Sequence, residues 1–399
     1  MKRDLYLNTI WKAYPSVPPG AEICGRLERL DVQTISLLGK GAWKLSEKLD
    51  FPIEILSRND WVALALESGE VRGLTLLAPA LQPPLELAAS LDLQKKWFEF
   101  LAQVRSFFKS KGFSEAQTPS LVDCPGTEPF LDLFSTEFVQ GQTKRKFYLP
   151  TSPELHLKKL LAAGVENLFE IRSCFRNGEI SKTHQPEFWM LEWYRSFVGL
   201  TQIQQDVLHL IEFLGGTTEG FERKSMAELF WDHLKFELTP ETSLKELKDL
   251  ARQQGLMIEH YELWDDVFYL IFIEKIERHL KSDLPLIVEK YPPSQAALAR
   301  LTDDGWGARF EIYWKGFEIA NAFDELNDPE IQAQRFEADL KLKKDLGREV
   351  PSLDSEFMRA LLSGMPPSAG IALGLERLFM ALNQIDNISL LRPFAIRSN

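Results

Sequence analysis

The stretch FEIRSCFRNGEISKTHQPEFWMLEWY, residues 169–194, carries the clearest structural signal in this sequence. Two segments rich in apolar and aromatic residues flank the polar sequence NGEISKTHQP, whose glycine and proline are typical of loops. The pattern predicts two antiparallel β-strands joined by a long loop that is able to close over a ligand. Arg176 stands where the first strand is expected to end, and Glu192 stands between apolar residues of the second.

The flanking segments predict a larger domain of the α+β class. Upstream, SPELHLKKLLAAG reads as a helix with Ser152 and Pro153 at its start. Downstream, RFEIYWKGFEIANAF is strand-like, and GIALGLERLFMAL reads as a glycine-bounded strand that leads into a helix. The sequence contains no internal repeat, heptad pattern or low-complexity tract, so everything after about residue 90 is expected to form one unit.

Residues 21–80 predict a separate small domain. Short β-favouring stretches alternate there with Gly, Asp and Asn, which indicates a closed or half-closed antiparallel barrel. The segment ends in the proline pair Pro83–Pro84, and an amphipathic helix begins soon afterwards. We therefore expect two domains, residues 1–87 and 88–399.

Composition excludes several broad classes of function. The 399 residues include 46 basic and 58 acidic ones, and the net charge of -12 argues against a protein that coats nucleic acid through its overall field. The longest apolar runs fall far short of the ~20 residues that cross a bilayer, so we expect no membrane association and a cytoplasmic location. Three scattered cysteines do not suit a disulfide framework or a CxxC metal site.

Two arginines and two glutamates each allow a functional and an ordinary interpretation. Arg176 and Arg377 are suited to anionic ligands, but each is equally an ordinary surface or packing arginine. Glu311 and Glu318 lie seven residues apart, on opposite faces of a continuous strand. They meet one metal ion only if the intervening WKG turns or bulges; otherwise they are two exposed acids at a strand edge.

Three further acids stand in apolar company: Glu154, Glu192 and Glu325. A buried carboxylate requires a cation nearby because its desolvation is costly. That cation is either the ammonium group of a bound ligand or an internal lysine or arginine.

In their order along the chain, three segments resemble the signature motifs of class II aminoacyl-tRNA synthetases. FFKSKGFSEAQTP, residues 107–119, is similar to motif 1, the helix and strand at the dimer interface. Residues 169–194 resemble motif 2, and GIALGLERL, residues 370–378, resembles motif 3. TSPELHLKKLL and GFEIANAFDELND resemble lysine-pocket segments of lysyl-tRNA synthetases. The resemblance covers nearly everything after residue 90 and implies an antiparallel sheet flanked by helices.

Within that superfamily the sequence is most similar to the elongation factor P β-lysine ligases. His156 stands where synthetases usually have tyrosine, YPPSQAAL (residues 291–298) matches the ligases' PxSQA pattern, and Ala372 replaces a usual glycine. The alanine methyl reshapes the pocket beside the backbone end of the amino acid, where α- and β-lysine differ.

The N-terminal region is too short for a complete anticodon-binding barrel with its flanking helices, yet the ligases usually lack it altogether. Its last part resembles the end of a synthetase OB barrel, so we interpret it as a reduced OB-like β-barrel. Between residues 21 and 80 the only large aromatics are Trp43, Phe51 and Trp61, with acids among the bases. A scaffold is therefore favoured over an anticodon reader.

The resemblance implies a nucleotide site for ATP and Mg²⁺. Arg176 and Arg377 would be the catalytic residues that hold the phosphates, with His184 assisting and Phe188 stacking on adenine. Glu311 and Glu318 would be the metal ligands. The other implied nucleotide-binding residues are Asn177, Gly178, Glu179, Gln185, Ile319 and Gly374. Motif 2 usually carries glutamate at the position of Gly178, and Lys182 stands where the ligases commonly have arginine, so adenine recognition and loop charge depart from the family pattern.

The resemblance also implies a pocket for lysine or (R)-β-lysine. Glu154 would meet the backbone-end amino group and Asn321 the carboxylate. Glu192, Tyr194 and Glu325 would close on the distal ammonium group. The implied pocket also includes Ser152, Pro153, Phe323 and Ala372.

Three hypotheses follow. The first is a ligase that activates (R)-β-lysine or lysine as its adenylate and transfers it to a lysine of elongation factor P, as a homodimer because of motif 1. The second is a truncated lysyl-tRNA synthetase that charges tRNA, against which the incomplete anticodon domain argues. The third is a catalytically silent paralogue with a regulatory or scaffold role. Retention of the phosphate and metal ligands argues against it, whereas Gly178 keeps it open.

Overall fold

The chain folds into two compact units, Met1–Leu87 and Ala88–Asn399. The structure, a computed structural model, describes residues 17–82, 90–296 and 298–394. The proline pair Pro83–Pro84, expected at the boundary, lies outside the described residues. Within the described ranges no helix is long and apolar enough to span a bilayer.

The first unit is a closed five-stranded barrel in which the strands are arranged β1-β2-β3-β5-β4. Its strands are β1 (Ile23–Leu30), β2 (Thr34–Leu37), β3 (Gly41–Leu45), β4 (Trp61–Glu67) and β5 (Glu70–Ala78). Ser68 and Gly69 join β4 to β5 with φ angles of 54° and 82°, the backbone of a tight hairpin turn. The barrel expected from the sequence is therefore present, but a parallel pair, β3 with β5, closes it.

The barrel is filled by alternate residues of its strands. In β2, Ile35 and Leu37 are fully buried and alternate with exposed or half-buried residues, which is the period of two of a strand with one buried face. In β4, Val62, Ala63 and Leu64 are all buried. The arrangement fits the five-stranded OB-like barrel that the sequence predicted.

The second unit is built on an eight-stranded sheet in the order β11-β12-β13-β14-β15-β10-β9-β6. Its strands are β6 (Ser114–Glu115), β9 (Asn167–Phe175), β10 (Glu187–Ser196), β11 (Glu222–Ser225), β12 (Leu286–Tyr291), β13 (Gly307–Trp314), β14 (Phe317–Asp324) and β15 (Ser368–Gly374), and a separate hairpin consists of β7 (Ser135–Gln140) and β8 (Thr143–Tyr148). The six central strands are antiparallel, as expected, and parallel pairs occur only at the two ends of this sheet among the described strands.

Helices pack around this sheet. They are α1 (Leu91–Ser110), α2 (Glu154–Ala162), α3 (Leu200–Phe213), α4 (Met226–Leu234), α5 (Leu244–Gln253), α6 (Trp264–Ile271), α7 (Pro329–Asp345), α8 (Ser355–Leu362) and α9 (Leu375–Asn383), with short helical turns at Ile53–Ile55, Phe272–Ile276, Glu277–His279, Pro293–Ala296 and Ile388–Leu391. Apolar side chains of α1, α3 and α9 bury one face of the sheet in the largest core. The opposite face is left for the polar residues described next.

A row of paired residues crosses the sheet and carries much of that polar chemistry. Glu311 pairs with Asn321, Asn321 with Ala372, and Ala372 with Glu192. Residues that pair directly across neighbouring strands project from the same face. Four positions that are far apart in sequence are therefore aligned on one surface.

The β13–β14 hairpin brings Glu311 and Glu318 to the same face. Lys315 and Gly316 form its two-residue turn with φ angles of 52° and 85°. Glu318 pairs with Tyr313, which is two residues from Glu311 and so shares its face. The turn that the sequence required for a shared site is therefore present.

Candidate active site

A cavity of about 250 Å³, here called the nucleotide cavity, opens over the sheet between the β9–β10 loop and the start of α9. Its lining combines two guanidinium groups with one imidazole and an apolar floor. The lining residues are Arg176, Glu179, Thr183, His184, Gln185, Phe188, Met190, Glu318, Ile319, Ala320, Asn321, Ala372, Gly374, Glu376, Arg377 and Ile388. The two guanidinium groups are suited to phosphate groups, and the carboxyl groups of Glu179, Glu318 and Glu376 lie in the same lining.

Arg377 is held in place by two neighbours at the start of α9. Its Nη1 donates to the main-chain oxygen of Glu318 at 2.8 Å and to that residue's carboxylate at 3.2 Å. Its Nη2 lies 2.5 Å from Nε2 of His184. A guanidinium group only donates, so this imidazole nitrogen accepts and the ring proton sits on Nδ1, which lies 2.9 Å from the Ser181 hydroxyl.

His184 is neutral at physiological pH. Burial and the positive charge of Arg377 lower the pKa of His184 to about 4. The neutral ring supports Arg377 as an acceptor and adds no second positive charge. Of the two side chains, only Arg377 therefore carries a positive charge.

Arg176 follows β9 directly and packs against Phe188. Its guanidinium carbon lies 5.1 Å from the centre of the Phe188 ring. Its Nε is buried and has no hydrogen-bond partner within the described parts of the chain. A buried donor on a permanently charged group is costly when unpaired, so its position is suited to an anionic ligand.

The backbone of the β9–β10 loop requires glycine directly after Asn177. Gly178 has a φ of 80°, a conformation that favours glycine. Of the three residues that follow Arg176, Glu179 lines the nucleotide cavity, while Asn177 and Gly178 are exposed and are not among its lining residues. The carboxylate that motif 2 usually supplies at position 178 is therefore supplied one residue later.

A second cavity of about 320 Å³, here called the amino-acid cavity, adjoins the first. Four residues line both of them: Arg176, Met190, Asn321 and Ala372. The amino-acid cavity is otherwise lined by Ser152, Glu154, Glu192 and Phe323, by the segment 125–131, and by Leu155, Asp265, Tyr269, Ser294, Gln295, Leu298, Arg309, Phe336, Asp339 and Leu342. The carboxyl groups in its lining are those of Glu128, Glu154, Glu192, Asp265 and Asp339.

Glu192 lies at the centre of the acidic side and is 1 % exposed. Ser152 donates its hydroxyl proton to Oε1 at 2.6 Å, and the Tyr194 hydroxyl donates to Oε2 at 2.9 Å. Burial, followed by the charge of Glu154, raises the pKa of Glu192 to about 8. A carboxyl group in this state gains from an incoming ammonium group, which favours its ionised form.

Glu154 and Glu325 share a buried lysine that the sequence did not reveal as a site residue. The Lys158 ammonium lies 2.6 Å from Oε1 of Glu154 and 2.5 Å from Oε2 of Glu325. Burial alone would lower the pKa of Lys158, but the two carboxylates outweigh it, so the pKa is raised and the lysine stays charged. Burial raises the pKa of Glu325 to about 8 even though Lys158 acts in the opposite direction.

Arg309 is a second buried cation missing from the sequence-based site. Its Nε donates to Oδ1 of Asn321 at 2.9 Å, and it pairs with Glu311 and stacks at 4.2 Å on the Tyr291 ring. Because a guanidinium group does not accept, the Asn321 oxygen faces Arg309 and the amide NH₂ is left for a ligand. This orientation suits the carboxylate of an amino acid.

The acids expected to hold Mg²⁺ line a third cavity together with Glu277. Glu311 accepts hydrogen bonds from the hydroxyls of Tyr291 and Tyr313 at 2.6 and 2.7 Å, and burial raises its pKa. Glu318 is more exposed and pairs with Arg377. The described residues include no cluster of three or more His, Cys, Asp or Glu arranged for a metal. Mg²⁺ usually relies on one or two carboxylates plus substrate phosphates, so this pair fits its donor set.

The structure brings together most of the residues that the sequence singled out. Of the expected nucleotide-binding set, all but Asn177 and Gly178 line the nucleotide cavity. Of the expected amino-acid set, Ser152, Glu154, Glu192, Asn321, Phe323 and Ala372 line the amino-acid cavity, Tyr194 and Glu325 bond to Glu192 and Lys158, and Pro153 precedes α2 as its cap. Glu311 lines the third cavity beside Glu318.

Two signals pointed to the missed cations. Glu154 and Lys158 are four residues apart, which places them on one helical face. Arg309 and Glu311 are two apart, which places them on one strand face. The spacing alone did not show that either cation is buried.

This sheet, with two adjoining cavities on one face, defines the catalytic domain of a class II aminoacyl-tRNA synthetase. The model of the family described as tRNA synthetases class II (D, K and N) matches residues 88–398. An elongation factor P–(R)-β-lysine ligase from Haemophilus ducreyi is 36 % identical over 312 residues, 77 % of this chain and 95 % of the relative. A ligase of the same name from Photorhabdus laumondii is 37 % identical over 319 residues, 77 % of this chain and 96 % of the relative. The chain belongs to the elongation factor P–(R)-β-lysine ligase family within the class II synthetases.

Proposed function

We propose that this chain activates (R)-β-lysine with ATP and transfers it to a lysine side chain of elongation factor P. The relatives' names supply the substrate and the acceptor. The observation that carries the proposal is the junction of the two cavities at Arg176, Asn321 and Ala372. There a substrate carboxylate held by the Asn321 amide comes close to a phosphate held by Arg176.

In the first step a carboxylate oxygen of the amino acid attacks the α-phosphorus of ATP. The bond to the bridging oxygen of pyrophosphate breaks, and pyrophosphate leaves with the bonding electrons. Arg176 stabilises charge on the α-phosphate, and Arg377 holds the outer phosphates, since such transfers depend on positioning and electrostatics. Glu311 and Glu318 would hold Mg²⁺, which would supply positive charge that offsets the charge of the phosphates.

The nucleotide site rests on the same cavity. Phe188 and Ile319 offer apolar surfaces for the adenine ring, and Gln185, Glu179 and Gly374 surround it. When the nucleotide binds, Arg377 would exchange its contact with Glu318 for the phosphates, which would leave the Glu318 carboxylate available as a metal ligand. His184 remains a neutral support of Arg377 throughout.

In the second step the ε-amine of the acceptor lysine attacks the carbonyl carbon of the mixed anhydride. The acyl–oxygen bond breaks, AMP leaves, and the amine loses a proton as the amide forms. The acceptor works as a neutral amine, because an ammonium group has no lone pair. A cytoplasmic location follows from an acceptor that serves translation.

A homodimer is part of the proposal. Residues 107–119 resemble motif 1, and Phe98 on α1 is 62 % exposed beside a shallow groove that Leu101 and Arg105 also line. An exposed aromatic on an otherwise polar helix face is suited to a subunit interface.

The test is amino-acid-dependent exchange of pyrophosphate into ATP, with (R)-β-lysine and α-lysine in parallel, followed by transfer to purified elongation factor P and to lysine tRNA. We expect faster exchange with (R)-β-lysine and transfer to the protein. Arg176→Met and Arg377→Met should each reduce exchange at least 100-fold, by analogy with removal of one charge-stabilising group. Arg252→Met, a surface arginine paired with Asp249, is the matched control and should leave exchange unchanged.

Other outcomes contradict the proposal in distinct ways. Exchange with α-lysine followed by charging of tRNA would establish a shortened synthetase. No exchange with either amino acid would establish a silent paralogue, and would direct attention to Gly178 in the motif 2 loop.

A further inference from the structure

Lys158 places a full positive charge inside the wall of the amino-acid cavity. Its side chain is entirely inaccessible to solvent, and its ammonium group lies between Glu154 on the same helix and Glu325 just after β14. An ammonium group is rarely buried this completely because its desolvation is expensive. In a site expected to bind an ammonium-bearing substrate, an internal cation on the same carboxylates needs an explanation.

The charge of the pocket provides that explanation. Three carboxylates interact electrostatically at this end of the cavity: Glu154, Glu192 and Glu325. When all three are ionised, Lys158 reduces their combined charge from minus three to minus two. Lysine and β-lysine each carry two ammonium groups, and their carboxylate is directed towards Asn321 and the arginines. These three carboxylates together with Lys158 therefore match the two amino groups of such a substrate in charge, while Glu128 in the same cavity interacts with the positive charges of Arg176 and Lys343.

Lys158 also fixes which carboxylate oxygens remain available. Oε2 of Glu325 faces the lysine, and Oε1 has no hydrogen-bond partner among the residues of the described ranges, although Glu325 is only 1 % exposed. A Cβ atom built at Gly370 would lie 2.6 Å from this oxygen and 2.2 Å from the Tyr194 ring. The missing side chain at Gly370 thus leaves room for the Tyr194 ring and for this carboxylate oxygen, which are packed against it.

We propose that Lys158 is a positioning residue that sets selectivity: it neutralises one of three carboxylates, so that the pocket accepts amino acids with two amino groups. The proposal rests on the proposed amino-acid activation and adds to it the origin of diamine selectivity. Glu154 and Glu325 each direct one oxygen to Lys158, and Glu192 is left wholly to the substrate and its two hydroxyl donors. An amino acid with one amino group leaves one of these buried carboxyl groups without a cationic partner.

The test uses three variants of the full chain: Lys158→Met, Glu325→Gln, and the double variant. Lys158→Met removes the internal cation, so the KM of (R)-β-lysine in pyrophosphate exchange should rise about tenfold or more while the KM of ATP stays constant. Glu325→Gln leaves a pocket of charge minus one. Relative to wild type, it should shift preference towards a β-amino acid of the same chain length that lacks the distal amino group.

The double variant separates charge balance from packing. It restores a combined charge of minus two, so it should bind (R)-β-lysine better than Lys158→Met does and should regain the preference for the diamine. Losses that simply add in the double variant, or a lower melting temperature than that of either single variant, would overturn the proposal. If Lys158→Met does not fold, a folded double variant supports the charge argument and an unfolded one contradicts it.

Lys159→Met is the matched control. Lys159 is the next residue of α2, is 18 % exposed, and pairs with Asp354 at 2.7 Å, outside the pocket. Its substitution should change no KM. If wild type itself shows no amino-acid-dependent exchange, the proposed function fails; if wild type is active and Lys158→Met keeps its KM and its selectivity, only the present proposal fails.

Discussion

At the scale of single residues, the orientation of one amide leads to a specific test. Arg309 donates to the Asn321 oxygen and thereby directs the amide NH₂ towards the cavity junction. Asn321→Asp keeps the acceptor for Arg309 but replaces the donor with a second carboxylate oxygen, which repels the substrate carboxylate. We expect the KM of the amino acid to rise at least ~10-fold, from the loss of a hydrogen bond to a charged group worth about 1.5–3 kcal/mol. Pyrophosphate exchange measures it, and an unchanged KM would contradict the assigned orientation.

The two acids with raised pKa values predict proton release when the amino acid binds. Glu192 and Glu325 each have a pKa of about 8 because of burial, so both carry protons at pH 7 for most of the time. An ammonium ligand favours the carboxylate and expels the proton, so affinity should fall as the pH drops below 8, by up to about tenfold per pH unit for each proton released. Calorimetry of binding in two buffers with different ionisation enthalpies counts the protons.

The controls for this measurement are Glu192→Gln and the free protein. The variant should release fewer protons, and a binding enthalpy independent of buffer would contradict the prediction. The folding stability of the free protein depends on pH in the opposite direction from the binding affinity. The folded state binds more protons than the unfolded state between about pH 4.3 and pH 8, so this contribution to stability is present at low pH and is lost as the pH rises through 8.

Residue identity within the site could be predicted from the sequence only where a motif or a spacing carried the information. Arg176, Arg377 and the acids of the row across the sheet stood in recognisable segments. Lys158 did not, because its second partner, Glu325, lies 167 positions further along the chain and only the fold brings the two together. Its complete burial followed from neither composition nor periodicity.

At the scale of elements, the β13–β14 turn predicts a difference between two substitutions. Lys315 and Gly316 both have positive φ, and a Cβ at Gly316 would lie 3.4 Å from the Lys281 side chain. Gly316→Ala should destabilise the second unit by ~1–2 kcal/mol, the usual cost of a left-handed conformation. Lys315→Asn should be neutral or slightly stabilising, because asparagine tolerates that conformation. Denaturant titration compares them; equal losses would show that the backbone is not the cause.

The elements themselves were largely predictable, and their pairing was less so. The turn at Lys315–Gly316 and the hairpin β9–β10 follow from local turn chemistry and hydrophobic pattern. The parallel pair β3–β5 and the parallel pairs at the ends of the large sheet join strands that are distant in sequence, and no local pattern specifies them. No local pattern indicated the one-residue bulge in β14 opposite Ile312 and Tyr313 either. This bulge brings Asn321 opposite Glu311.

At the scale of the whole molecule, the division into two units predicts that a substitution can destabilise one unit without destabilising the other. Leu64 is fully buried in the barrel, so Leu64→Ala should destabilise that unit by ~2–5 kcal/mol. Amino-acid activation should persist, because every site residue lies in Ala88–Asn399. Calorimetry and pyrophosphate exchange on the same sample measure both properties.

The matched control is Leu373→Ala, an equally buried leucine of β15 in the second unit. This variant should lose stability and exchange together. Loss of exchange in Leu64→Ala to the same degree would show that the barrel is needed for activation.

The shared lining of the two cavities has a consequence for inhibition. Because Arg176, Met190, Asn321 and Ala372 line both cavities, we expect one compound to be able to reach into both at once. Such a compound is an adenosine joined to a diamine acid through a stable, uncharged link. It would lose translational and rotational freedom only once on binding, and after one half is bound the other half would be at a high effective concentration near its own cavity. Selectivity against enzymes with a glycine at the position of Ala372 would then depend on the substituent that the compound places next to this methyl group.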